Sequence, residues 1–414
     1  MANVSSSNSL GERVPKLRFP EFEGEWELIN ISDLLDFQNG INADSDKYGS
    51  GIKYISVSDI LNNPYICYDE IKGSVDIDNS TLEHYKVEYG DIVFQRSSET
   101  FEDIGHANVY LDKSHPATFG GFVIRGKKKG NYNPFFFKNL LDTPYARKTT
   151  TRMGAGAQHY NIGQDGLSKI ALYFPKINEQ EKIANLFMLL NKKIQLQKEL
   201  VKILKLYKRG VIEAIYNQKV RFKAKNNATY PKWIKTTIGE LFNERNEKAI
   251  GKEDLLAVTI NNGIQKKKSI NSKDISNEDK SNYKCVLIND IAYNTMRMWQ
   301  GASGVSRYCG IVSPAYTVIT PKDTLLVDSN FYAYYFKLPS MVNMFEKYSQ
   351  GLTSDTWNLK YQQLSYISIF LPSLEEQKEV VSFLTNFDVC IENANESLNQ
   401  MINIKKYLLQ QMFI

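Results

Sequence analysis

The sequence predicts an α+β chain built twice, with two globular mixed α/β units in tandem, each followed by one long helix, and the two helices pairing as a coiled coil. Three observations carry this. Phe174, Pro175, Glu179, Gln180 and Ile183 stand opposite Leu371, Pro372, Glu376, Gln377 and Val380 at a constant offset of 197. Beyond each phrase an apolar repeat of seven continues: Ile183, Leu190 and Leu204 fall in one row and Phe187 and Ile194 in the other, while the second copy gives Val380, Phe387 and Met401, then Leu384 and Ile391. Such a repeat keeps one stripe facing a partner helix. Even its interruption recurs, with Lys208 and Lys405 at the same phase. Finally, Trp26, Ile31, Asp33 and Leu34 return as Trp233, Ile238, Glu240 and Leu241 at an offset of 207. A duplication with matching ends and divergent middles is the first thing such a chain asks to have explained.

The elements follow in order. Residues 1–25 form an N-terminal segment with a disordered start, and 26–177 the first globular unit. Residues 178–217 are the central long helix, 218–232 a linker rich in Lys and Arg without an acid, 233–374 the second unit, and 375–414 the second long helix. Asn178 with Glu181, and Ser373 with Glu376, offer capping-box starts for the long helices. Within the units, Gly90-Asp-Ile-Val-Phe94 matches Asn289-Asp-Ile-Ala-Tyr293 as a turn entering a strand. Thr118–Ile124 and Val312–Ile319 read as strands; Asn133 and Asn330 open helices, and Pro144 and Pro339 suit first turns. Strands Lys169–Phe174 and Tyr366–Leu371 deliver the chain to the long helices.

With 414 residues, 42% hydrophobic and 12% aromatic, the chain is long enough for two or three cored domains. It has no apolar run long enough to span a membrane and no signal-peptide pattern, so a cytoplasmic protein is expected. Cys67, Cys285, Cys309 and Cys390 are far apart and form no CxxC, which implies neither a zinc site nor a disulfide framework. The net charge of +5 is modest but uneven. Gly121–Arg152 holds eight Lys or Arg against Asp142 alone, and Lys192–Lys225 holds eleven against Glu199 and Glu213. Clusters of this kind neutralise phosphates and release counterions. The helices also differ: Glu179–Tyr216 carries eight basic residues against four acids, and Glu375–Ile414 six acids against three lysines. Complementary pairing would use that asymmetry, with Lys192, Lys193 and Lys198 as the cations.

Three short motifs fail on their own chemistry. Gly121-Phe-Val-Ile-Arg-Gly126-Lys127-Lys128 nearly spells a P-loop, but lysine stands where the magnesium-ligating hydroxyl belongs. Glu278-Asp-Lys280 is too short for a nuclease site, and Asn63-Pro-Tyr65 lacks the second proline of an adenine-holding tetrapeptide and a nearby glycine-rich cofactor loop. What remains are basic and amide-bearing loops at matching places, 147–160 and 347–357. Arginine suits guanine and glutamine suits adenine in the major groove, while lysine meets phosphate. The candidate DNA contacts are Arg96, Ser98, Lys127, Lys128, Arg147, Lys148, Arg152, Gln158 and His159 in the first unit. In the second they are Lys266, Lys267, Arg297, Gln300, Arg307, Gln350 and Thr353.

Together these features resemble the specificity subunits of type I restriction-modification systems. The resemblance rests on Pro15–Leu35, on Phe174–Tyr216 with its Pro-x-x-x-Glu-Gln phrase, and on their repeats at Pro231–Phe242 and Leu371–Phe413. It implies two target-recognition domains, each reading one half of a gapped double-stranded DNA sequence, held apart by long helices packed antiparallel. It further implies two methyltransferase (M) subunits docked on that frame, with S-adenosylmethionine, and motor/endonuclease (R) subunits with ATP and Mg2+. The chain itself would then carry no catalytic residue, metal or cofactor. The alternative is a coiled-coil scaffold that binds protein or glycan, separated from the first reading by steep salt dependence of duplex binding.

Overall fold

The computed structural model describes residues 13–154, 156, 160–224, 226–248, 253–260, 263–269, 280–353 and 355–414. The expected disordered start, Gln158, His159 and the Glu278-Asp279 pair lie outside the described residues. Contacts divide the chain into two units, one running to Glu199 and taking in Asn395–Ile414, the other Leu200–Ala394. Each unit therefore draws on both long helices, Ile177–Tyr216 and Leu374–Gln411.

In the first unit the strand Glu27–Asn30 pairs antiparallel with Ala171–Phe174, so the chain's entrance lies beside its exit into the central helix. A four-stranded antiparallel sheet follows in the order Leu35–Asn39, Val123–Lys128, Ile92–Gln95 and Ala107–Val109. The helices Pro134–Leu141 and Pro144–Arg152 both start on a proline, and the Asn133 and Thr143 side chains accept from their first-turn amides. The core joins Trp26, Phe136, Phe174, Ile183, Phe187 and Phe413, with Phe136 stacked on Phe413 at 5.4 Å.

The second unit repeats this plan. Ile234–Thr237 pairs with Ser368–Leu371, and the sheet order is Phe242–Glu244, Tyr316–Pro321, Ile291–Asn294 and Ser303–Val305. Trp233, Phe331, Tyr216, Val380 and Leu384 form the matching core. Both turns expected from sequence, before Ile92–Gln95 and Ile291–Asn294, are left-handed, at Gly90 (φ 94°) and Asn289 (φ 72°), and Asp91 and Asp290 behind them are buried.

The seam residues Ile183, Phe187, Ile194, Val380 and Leu384 are buried, while Leu190, Leu204, Phe387, Ile391 and Met401 are half-buried. In the first unit Phe187 meets Phe413 at 5.7 Å, and in the second Tyr207 meets Phe387 at 5.6 Å. The start of one helix thus packs on the end of the other, which is antiparallel pairing.

Several expectations are corrected. The central helix begins at Ile177, so Asn178 lies inside it and is no cap. Ser373 does accept from the Glu376 amide at 3.4 Å, but the Glu376 carboxylate turns to Arg221 and Trp233 and closes no capping box. Thr118–Ile124 and Val312–Ile319 are each two strands broken by a turn, closed by the Val123 amide donating to the Gly120 carbonyl at 2.8 Å and the Tyr316 amide to the Ser313 carbonyl at 3.0 Å. The counterpart of Asn133 is Asp328 and not Asn330: Gln180 accepts from the Asn133 amide at 3.0 Å as Gln377 accepts from the Asp328 amide at 2.9 Å. Among the described residues the ion pair between the helices is Lys208–Asp388, and Lys192, Lys193 and Lys198 are exposed without one.

Candidate nucleic-acid interface

The sheet strands Ile92–Gln95 and Ile291–Asn294 each run out into a loop that carries candidate side chains. In the first unit this loop is 96–103. The chain returns at Tyr160–Asn161 to pair with Ser97–Ser98, and the Ile162 amide donates to the Arg96 carbonyl at 3.0 Å. The Phe101 and Tyr160 rings then meet edge to face at 5.4 Å. In the second unit the loop 295–301 is met in the same way. The Leu359 amide donates to the Thr295 carbonyl at 2.9 Å, and the Trp299 and Trp357 rings meet at 5.2 Å.

These pairings join loops that are distant in sequence into one surface per unit. In the first, Arg96 and Ser98 are half-buried, and Lys148 and Arg152 stand exposed on the helix Pro144–Arg152, without an ion pair among the described residues. Arg147 belongs to the framework. Its guanidinium donates to the carbonyls of Glu102 and Ile104 at 2.8 and 2.7 Å, clamping the helix to the loop, and burial lowers its pKa. In the second unit Arg297 and Gln300 are exposed around a cleft of about 280 Å³ lined by Trp299, Met296 and Asp355. Gln350 joins them through its paired backbone with Asn358, and Thr353 is exposed on the turn between.

Other candidates stand elsewhere. Lys127 and Lys128 lie at the opposite end of the sheet, since Gly126 pairs with Ile92 whereas the loop follows Gln95. Lys128 donates to the Tyr132 carbonyl at 3.1 Å over that residue's ring, and burial lowers its pKa. Arg307 likewise follows Val305, which pairs with Ile291 at the end away from Arg297. Lys266 forms an ion pair with Asp254 at 2.8 Å, raising its pKa, and the Lys267 amide donates to the Leu255 carbonyl.

Sequence reasoning missed the aromatic clasps. A signal existed, because Tyr160 and Trp357 share the 197 offset. Phe101 and Trp299 could not be matched, since the loops between are unlike. Each surface combines guanidinium and hydroxyl groups with a held aromatic edge, and the second adds the Gln300 and Gln350 amides, which suits a ligand of alternating charge, hydrogen-bonding edges and flat apolar faces. The described cysteines are free, and no helix among the described residues is long and apolar enough to cross a membrane.

Comparison with known proteins gives a consistent result. Residues 23–206 and 230–403 match the type I restriction modification DNA specificity domain, once per unit. A putative type I restriction enzyme MjaX specificity subunit from Methanocaldococcus jannaschii is 21% identical, over 96% of this chain and 95% of its own length. The crystal structure of the type I restriction-modification S subunit from M. genitalium superposes with a TM-score of 0.57 at 13% identity, over 97% of this chain and 99% of that one. A structure described for complex assembly and conformational transition of the type I R-M system gives 0.57 at 13%, over 94% and 97%.

Proposed function

Given that the chain belongs to the type I restriction modification DNA specificity family, we propose that it is the address reader of such a system, each unit recognising one half of a bipartite, gapped duplex sequence. The observation that carries this is the recurrence, on both units and at the same place in the fold, of a loop surface clasped by an aromatic pair and bearing Arg, Gln, Ser or Thr. Two copies of one architecture with different side chains suit two different half-sites.

The long helices act as the spacer and as the dock for two methyltransferase subunits. Off the seam, the central helix exposes Leu189, Leu196 and Ile203 at seven-residue spacing, an apolar row that a partner helix would cover. Chemistry then belongs to the partners, with S-adenosylmethionine on the methyltransferases and ATP with Mg2+ on motor/endonuclease subunits.

The test is a genome-wide map of N6-methyladenine in cells expressing the partner methyltransferase with and without this chain. A gapped two-part motif that appears only with the chain is expected. Methylation independent of the chain, with both proteins expressed and soluble, would replace this reading by a protein- or glycan-binding scaffold. Exchange of residues 27–173 for another member's domain should change one half of the motif and preserve the other.

A further inference from the structure

The duplication lets each unit serve as a control for the other. In the second unit, Lys208 of the central helix pairs with Asp388 of the second long helix, and the Tyr334 hydroxyl donates to the same carboxylate at 2.5 Å while its ring lies 4.9 Å from the Lys208 ammonium. Moving each helical residue by 197 gives the equivalent place in the first unit, where Lys405 is the cation and Asn191 stands in place of Asp388. Tyr334 corresponds to Asn139, five residues into a helix matched at its start by the Asn133 and Asp328 contacts. The carboxylate and the phenol are both gone, and the lysine has stayed.

What replaces them is a cleft of about 590 Å³. Lys138, Lys198, Lys405 and Lys406 line it together with Asn191, the Asn63-Pro64-Tyr65 segment and Glu70. Lys138 is paired with Asp142. Lys198, Lys405 and Lys406 have no ion pair among the described residues. Asn191 is 9% exposed, and its Nδ2 is buried with no hydrogen-bond partner. Burial, with Lys138 and Lys198 nearby, lowers the Lys405 pKa. The buried Asn191 amide donor and the half-buried Lys405 ammonium are costly to hold in this cleft unless something accepts from them, and the exposed Lys198 and Lys406 add positive charge to its lining beyond what Glu70 and Asp142 offset.

We infer that this cleft is an anion site for a backbone phosphate of duplex DNA, taking the place that the Asp388 carboxylate fills in the second unit. The inference rests on the DNA-reading function proposed above. A single partner carboxylate would leave most of this charge uncompensated and most of the volume empty, whereas a phosphate with its sugar brings several acceptor oxygens to Lys198, Lys405 and the Asn191 amide. The helices are then not a passive spacer, since one end of their seam holds the DNA directly.

The experiment compares the full-length wild type with Asn191→Asp, which supplies the missing carboxylate internally, and with Lys405→Gln, which removes the cation. Binding to a short duplex is followed against salt. Each variant should lower the slope of log K against log salt by about 0.9, the loss of one phosphate contact, and weaken binding roughly 5- to 10-fold near 0.1 M salt. Both should keep or raise the thermal midpoint, because each relieves a buried uncompensated charge, so weakened binding will not reflect misfolding. Unchanged slopes in both variants would overturn the site. Unchanged slopes with weakened methyltransferase association would assign the cleft to a carboxylate of that partner instead. A wild type that binds no duplex would refute the address-reading function itself, a result distinct from either.

Discussion

Arg221 and Glu376 are joined by two hydrogen bonds of 3.0 and 2.6 Å across 155 residues of sequence, and the carboxylate, 1% exposed, also accepts from the Trp233 indole at 2.9 Å. Arg18 holds Glu179 likewise in the first unit, at 2.8 and 2.7 Å, and this bond raises the Arg18 pKa. The glutamate of each Pro-x-x-x-Glu-Gln phrase therefore ties a long helix to the segment that precedes its domain. The following glutamine ties the same turn to the start of the helix Pro134–Leu141 in the first unit and Ser329–Tyr335 in the second. Arg221→Ala should cost about 3 to 5 kcal/mol, because it leaves a buried charge without its cation. Urea denaturation measures it, and a loss under about 1 kcal/mol would show that water replaces the arginine.

Charge reversal on the central helix should have effects that depend on position. Lys192→Glu with Lys193→Glu alters exposed groups with no partner on the other helix and should stay within about 0.5 kcal/mol per site, even in low salt. Lys208→Glu sets two carboxylates against each other beside Tyr334 and should lower the thermal midpoint clearly. Equal effects from the two would mean that diffuse charge, not the Lys208–Asp388 contact, pairs the helices.

Lys337 should make the stability of the second unit depend on alkaline pH. Its ammonium donates to the carbonyls of Gly301 and Ile260, and burial brings its pKa down from 10.5 to about 8. Between those values the unfolded chain binds the extra proton, so stability rises as pH goes from about 8 toward 10.5, and the penalty is fully present below 8. Thermal melts across that range should show the rise in the wild type and its loss in Lys337→Met. Identical profiles would mean that the folded lysine titrates as it does in the unfolded chain.

On the DNA-reading function, Arg297→Ala or Gln300→Ala should cost about 1 to 3 kcal/mol of discrimination at one half-site and leave the other unchanged. Arg152→Ala should do the same for the other half. Lys127→Ala, at the far end of its sheet, should leave sequence preference intact. Competition binding against single-base target variants decides each case, and an unaltered preference returns the residue to the framework.

Much of this was open to reading because duplication makes a sequence its own alignment. The constant offset of 197 and the sustained heptads required two long helices with the same apolar stripe, and the returning tryptophans marked where each unit begins. Heptad periodicity is local, so it survives in one dimension. The loop surfaces were legible only in part. Arg147 and Lys128 look like free cations in sequence, but Arg147 is absorbed by the distant carbonyls of Glu102 and Ile104, and Lys128 by the carbonyl and ring of Tyr132 close by, where the local turn and not the residue order brings them together.

The amino-acid sequence by itself thus determined the two-unit plan and the helix seam, since both are written in spacing along the chain, and its repeated phrases carried the resemblance to the family. Tertiary structure alone decided that Phe101 meets Tyr160 and Trp299 meets Trp357, and that Glu376 faces Arg221. It also decided that Lys405 has an amide where Lys208 has a carboxylate. Partners in those pairs lie tens to hundreds of residues apart, and only the closing of sheet and core brings such groups within a few ångströms, where burial makes an unmatched charge or amide costly.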